Sequence, residues 1–352
     1  MSQVESAPFQ SMDLFKNKWE KRWHPLRQEW VVYAAHRNSR PWTGERVESV
    51  KKTASYDESC YLCPGNQRIG GKINPAYQGV HVFENDHPVV GFNAPKIDDC
   101  LSEGSIRKVE SAVGVAKVIC YHPRHDLSLA TMPFDVTREV FDAFKSQMIE
   151  LSILPEIKSV LIFENRGEMV GVSNPHPHCQ LYAVDFVFEL VRKTNKASME
   201  YARSHGADLF ESVIESEIRD EIRVVAQNEH AIAFVPFFAR YAYEVMIFPR
   251  KRYKNLTEMP NQELEGLAQA FHQVICKYDG LFNMDFPYVM SILQAPFGEG
   301  DYDDFHLHIL LQPPLRQPGL IKYLAGPEIG GGNFMADTMP EEKAAELNRI
   351  IL

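Results

Sequence analysis

Two imidazoles, His176 and His178, stand two residues apart in the run Ser173-Asn174-Pro175-His176-Pro177-His178-Cys179-Gln180-Leu181-Tyr182. Pro175 and Pro177 lack backbone N–H groups and hold their predecessors extended, so the run reads as an edge or active-site strand and not as helix. Residues i and i+2 of a strand share a face, which would send both rings into one cleft. Neutral imidazole is both a metal ligand and a nucleophile near neutral pH, so the pair could divide those jobs. A bare His-X-His is as readily a pair of loop or core histidines. The context favours chemistry: an apolar strand, Val160 to Phe163, leads into Glu164-Asn165-Arg166-Gly167 and then Gly171, a polar connection in which glycine lets backbone approach a phosphate.

A second pattern is Cys60-Tyr61-Leu62-Cys63-Pro64-Gly65-Asn66, with the spacing of a zinc knuckle in which two thiolates grip one tetrahedral ion. A redox pair or two buried small residues would look the same. No second cysteine pair follows, so further ligands would be nitrogen or oxygen donors. The six cysteines (60, 63, 100, 120, 179, 276) are irregularly spread, which argues against a disulfide framework.

The elements that must position these groups occur twice. Strand-like Val80 to Asp86, Ala116 to Tyr121 and the helix-like 136–150 segment precede the first His-X-His; Ala231 to Pro236, Glu244 to Pro249 and the helix-like 261–278 segment precede a second, His306-Leu307-His308. In the later helix Leu264, Leu267, Ala268, Phe271, Val274 and Ile275 line one face. The two His-X-His motifs are offset by 130 residues (306 minus 176). The chain therefore reads as a doubled α+β fold of two related halves, 1–185 and 186–352, each a mainly antiparallel sheet with helices packed on it. A charged helical connection over about 186–222 joins them. The second motif follows an acidic loop, Gly298 to Asp304, which would repel phosphate and argues against a second catalytic centre.

The whole has 352 residues, 45% hydrophobic and 24% charged, with a formal net charge of −10. Nothing in that balance attracts nucleic acid or anionic membrane, so phosphate recognition must come from a local basic cluster. The lack of a long apolar run and the polar first residues predict a cytoplasmic protein that does not enter a membrane.

Phe163-Glu164-Asn165 followed by Ser173-Asn174-Pro175-His176-Pro177-His178-Cys179-Gln180 resembles the signature of galactose-1-phosphate uridylyltransferases, the nucleotidyl-transferring branch of the histidine-triad superfamily. The resemblance spans about residues 20 to 330. It implies that His178 takes UMP from UDP-glucose as a covalent intermediate and passes it to galactose 1-phosphate. Gln180, on the same strand face, and Ser173, in the loop, would donate to phosphate oxygens; Cys179 points the other way and reads as packing. The same resemblance completes a Cys60, Cys63, His125, His176 site for zinc, with iron as the other metal such donors accept. His122 is the competing donor.

It further implies that Arg37 and Arg40 fork onto phosphate, that Leu62, Ile69 and Phe83 wall the base, and that Asn85 and Asp86 bind ribose or base, with Asn165 beside them. Lys322, Tyr323 and Glu328 fall in a segment that in homodimeric members reaches the partner's active site, with Lys322 on phosphate and Glu328 on sugar hydroxyls. A further metal site known in the family is expected to be absent, because Thr194, Leu293 and Leu310 stand at three of its four positions and only His308 remains. Pro327 and the glycine run after it depart from the family's pattern, which leaves a different hexose 1-phosphate open as acceptor. A nucleotide-sugar phosphorylase using inorganic phosphate, and a zinc-stabilised binding protein without turnover, are the other readings.

Overall fold

The computed structural model describes residues 18–39, 54–95, 97, 106–172, 174–298 and 300–352. Arg40 and Ser173 lie outside them. In chain order the strands are β1 (Trp19–His24), β2 (Glu29–Ala34), β3 (His81–Glu84), β4 (Gly114–Cys120), β5 (Ser159–Arg166), β6 (His178–Val184), β7 (Val224–Gln227), β8 (Ala231–Phe234), β9 (Val245–Pro249), β10 (Tyr288–Leu293), β11 (His308–Gln312), β12 (Leu315–Gln317), β13 (Leu320–Ile321) and β14 (Met335–Ala336). The helices are α1 (Phe134–Ser152), α2 (Glu189–His205), α3 (Leu209–Asp220), α4 (Asn261–Phe282), α5 (Gly326–Gly330) and α6 (Pro340–Asn348).

Nine strands form one sheet in the order β3-β4-β6-β5-β10-β11-β9-β8-β7, and neighbours in it are antiparallel throughout. Read outward from the central β5–β10 pair, β6, β4 and β3 on one side match β11, β9 and β8 on the other. The two halves are thus related α+β units, joined edge to edge where Ile162 faces Ile292. Joining leaves the inner strands of each half without an open edge.

Alternation along the strands explains which face is open. Ile162, Leu181, Ala183, Ile247, Ile292, Ile309 and Leu311 turn to one face, where α1 and α4 cover them and Phe141 meets Phe271 at 5.4 Å. On the other face Phe234, Met246, Phe248, Leu293 and Leu310 pack against Val191 of α2 and Leu209 and Phe210 of α3. Helices α2 and α3 seal that face over the C-terminal half. Over the N-terminal half it carries His178, Gln180, Phe163 and Asn165, all only partly buried.

Hairpin β1–β2 joins β14 in a small separate sheet. It was not foreseen from the sequence. Arg22 donates to the Phe237 carbonyl and Glu341, and the Tyr33 hydroxyl to the Ala239 carbonyl, which fastens the hairpin to the C-terminal half.

Candidate active site and metal centre

Strand β6 begins at His178, immediately after Pro177 supplies its carbonyl to the Tyr121 N–H at 3.0 Å. The ring Nδ1 of His178 lies 2.7 Å from the His176 carbonyl. A carbonyl only accepts, so Nδ1 carries the proton and Nε2 keeps its lone pair. Burial pushes the His178 pKa down, which keeps that ring neutral. His176 and His178 line one cleft, of about 890 Å³ including its open mouth, with His125, Asn165 and Asn174.

The knuckle is tightly built. The Cys63 N–H donates to the Cys60 carbonyl, Gly65 takes a left-handed φ of 77° that a side chain would resist, and the Asn66 amide ties the Asp57 and Cys60 carbonyls. The Leu62 N–H at 3.3 Å and the Asn174 amide at 3.4 Å approach the Cys60 sulfur. Cys63 Sγ lies 3.6 Å from His125 Nδ1 and 3.5 Å from His176 Nδ1. Zinc bonds of about 2.3 Å to sulfur and about 2.0–2.1 Å to nitrogen at a tetrahedral angle set sulfur and nitrogen about 3.5 Å apart. All four ligand atoms are within 4.8 Å of one another and all four residues are buried. The residues present therefore fit a tetrahedral ion. Burial, with His125 and His178 nearby, holds His176 down at about 3, in the neutral form that binds metal.

The remaining sequence-derived residues divide into two groups. Near strand β6, Asn85 donates to Gln180 Oε1 at 3.4 Å, Asp86 pairs with Arg68 at 3.2 Å, and Phe83 lies beneath the Arg68 guanidinium at 4.2 Å. Leu62 is buried against Cys60 and Cys63, while Ile69 is exposed. Arg68 was missed from the sequence, where it is one cation in a polar loop. Asn174 was missed as well: its side chain accepts from the His176 N–H at 3.0 Å while its amide reaches Cys60.

The second group gathers around residues 334–337. Lys322 and Glu328 pair at 2.7 Å, Glu328 accepts from the Met335 N–H, and Arg37 meets Asp337 at 3.4 Å. Arg37 is 59% exposed and Tyr323 52%. None of these four residues lines the His178 cleft.

His308, the counterpart of His178, has the same carbonyl contact, from Nδ1 to His306 at 2.9 Å. It faces Phe210 and Phe248, under the helices that leave His178 uncovered. Thr194, Leu293, His308 and Leu310 do converge, around a small pocket closed by His24, Leu26 and Arg27. Of those four only His308 carries a usual metal donor.

Residues 10–187 match the family model for the galactose-1-phosphate uridyl transferase N-terminal domain, and residues 194–351 the model for its C-terminal domain. Galactose-1-phosphate uridylyltransferase of Rattus norvegicus is 36% identical over 331 residues, 93% of this chain and 86% of that protein. The enzyme of the same name from Thermotoga maritima is 34% identical over 330 residues, 93% of this chain and 97% of its own. A solved uridylyltransferase structure superposes with a TM-score of 0.75 at 29% identity, covering 94% of this chain and 97% of that one. An Arabidopsis thaliana ADP-glucose phosphorylase with bound ADP-glucose also superposes at 0.75, covering 95% and 99%, and at 21% identity it shows the shared fold. The chain belongs to the galactose-1-phosphate uridyl transferase family.

Proposed function

We propose that this protein moves UMP from UDP-glucose to galactose 1-phosphate in two displacements at His178. The observation that carries the reading is the 2.7 Å contact from His178 Nδ1 to the His176 carbonyl, because it leaves Nε2 unprotonated at the cleft. The Nε2 lone pair attacks the α-phosphorus; the bond from phosphorus to the bridging oxygen breaks, and glucose 1-phosphate leaves. A phosphate oxygen of galactose 1-phosphate then attacks the same phosphorus, the P–N bond breaks, and UDP-galactose forms. As the ring gains positive charge in the first step, the His176 carbonyl holding its Nδ1–H stabilises it. Gln180 and Ser173 donate to the nonbridging oxygens. Leu62, Ile69, Phe83, Asn85, Asp86 and Asn165 seat the nucleoside, and positioning supplies much of the rate.

Cys60, Cys63, His125 and His176 would hold zinc, whose contribution is to clamp the segment leading into the nucleophile strand. Arg37, Arg40, Lys322, Tyr323 and Glu328 serve the sugar phosphate of a partner subunit's site in a homodimer, with halves 1–185 and 186–352 as the units. Supporting that, the loop 236–241 that anchors hairpin β1–β2 follows β8, five strands beyond β6 and about 24 Å away at about 4.8 Å per strand. No helix among the described residues is long and apolar enough to cross a membrane.

Incubation with UDP-glucose alone, followed by intact-mass measurement, tests the reading. A UMP adduct is expected on the wild type, with an equivalent of glucose 1-phosphate released, and none on His178→Gly. An adduct on the variant, or none on either, overturns it.

A further inference from the structure

The hydroxyl of Tyr77 sits between two main features of the metal centre. It lies 2.7 Å from the Leu62 carbonyl, inside the knuckle, and 2.9 Å from Nε2 of His176. A phenol has one proton. The Leu62 carbonyl can only accept, so it takes that proton, and the Tyr77 oxygen is left to accept from His176. His176 must then carry its proton on Nε2. Its Nδ1 is free of hydrogen, and Nδ1 is the atom that faces Cys63 Sγ at 3.5 Å.

We propose that Tyr77 is a positioning residue for the metal, fixing His176 in the tautomer that ligates through Nδ1 and holding that ring against rotation. Tyr77 is buried, and so is the thiol of Cys120 beside it, so water does not compete for the contact. The ring is fixed independently of its hydroxyl: it stacks on His81 at 4.9 Å, His81 stacks on Phe83 at 5.4 Å, and Phe83 lies under Arg68, the partner of Asp86. One column of rings therefore ties the metal's histidine to the residues assigned to the nucleoside. On its other side His176 holds His178, through the carbonyl that accepts the Nδ1–H. Partners of this kind on a ligating histidine are worth about 10–100-fold in metal affinity or activity.

Because the ring is held by stacking, Tyr77→Phe removes the hydroxyl and keeps the column. The test uses zinc-loaded full-length protein without substrate, so its outcome is separable from that of the UMP transfer. Zinc release to a chromophoric chelator is expected to be about 10–100-fold faster from Tyr77→Phe than from the wild type. Long-range ¹H–¹⁵N spectra of histidine-labelled wild type should show His176 protonated on Nε2, with a slowly exchanging proton that the variant loses. Equal release rates, a His176 protonated on Nδ1, or a chain that takes up no zinc would each overturn the proposal. Tyr77→Leu, which also breaks the stack on His81, should release zinc at least as fast as Tyr77→Phe; slower release would count against the hydroxyl.

Discussion

Glu164 is an acid on the covered face of β5, beside the strand that carries His178, and its replacement by glutamine should make the protein more stable at alkaline pH. The side chain is 6% exposed, accepts from the Tyr288 hydroxyl at 3.2 Å and lies near Tyr121. Its charged neighbour Arg166 is already committed to both oxygens of Asp279, at 2.6 and 2.7 Å. Burial therefore prevails over the attraction to Arg166, and the carboxyl rises from 4.5 to about 7. The sign follows. Between those values the folded chain keeps a proton that the unfolded chain has lost, so stability falls as pH rises through that window and levels off above it. The difference amounts to at most about 3 kcal/mol, at about 1.36 kcal/mol per pH unit. Glutamine keeps the shape and the hydrogen bonds without the ionisation. The assay is the thermal midpoint of wild type and Glu164→Gln at intervals from pH 4.5 to 8.5. The variant's advantage should grow by several degrees across the window and stay level above about pH 7.5. A difference that does not change with pH would refute the reasoning, because it would mean the carboxylate is ionised in the fold.

Four further outcomes are expected. Cys63→Ser should lose bound zinc by elemental analysis and shift the thermal midpoint downward, since a closed site of this kind contributes folding energy directly. Gln180→Leu should lower kcat by ~10²–10³ with a smaller change in KM, measured with UDP-glucose, because a donor to the charge developing on phosphorus is lost. His178→Gly and Arg37→Ala, each inactive alone, should recover activity when unfolded together and refolded. Random pairing makes half the dimers hybrid, with one intact site in each, so about a quarter of wild-type activity returns if sites are shared across a two-fold. No recovery, with hybrids confirmed by mass, would place Arg37 in its own subunit's site. Phe210→Ala in α3 should reduce stability by ~3–5 kcal/mol without altering the mass of the UMP adduct, because it empties the core that covers the second His-X-His.

How much of this was legible follows from the kind of signal each element carries. Helices α1 and α4 and strands β3, β4, β8, β9 and β10 were readable because apolar periodicity covers most of their length. Hairpin β1–β2 was not, because one of its faces stays exposed and carries Trp19, Trp23 and Trp30 beside charged residues, so alternation does not stand out. The joining of the two half-sheets was invisible too. It rests on β5 pairing with β10 across more than a hundred residues, and strand pattern says nothing about partners. At the site, the knuckle spacing and His-X-His stood out by residue type, and the family resemblance joined His125 to them. Arg68, Tyr77, Asn174 and Glu164 did not stand out, since each matters for what it touches.

The same distinction explains why one half of a doubled fold presents an open imidazole and the other does not. His178 and His308 begin equivalent strands, and each presents Nδ1 to the carbonyl two residues back. Tautomer and orientation are therefore shared, and they do not suffice. What differs is the cover. Helices α2 and α3 lay Phe210 at 5.6 Å from His308, and Phe248 stacks on it at 5.0 Å. Burial holds that ring down at about 4, neutral like its counterpart but closed off from any substrate. Among the described residues the open half has no such cover, and beside its face Cys60, Cys63 and His125 gather with His176. In this chain the connecting helices, by sealing one copy and sparing the other, decide where a phosphate can reach an imidazole.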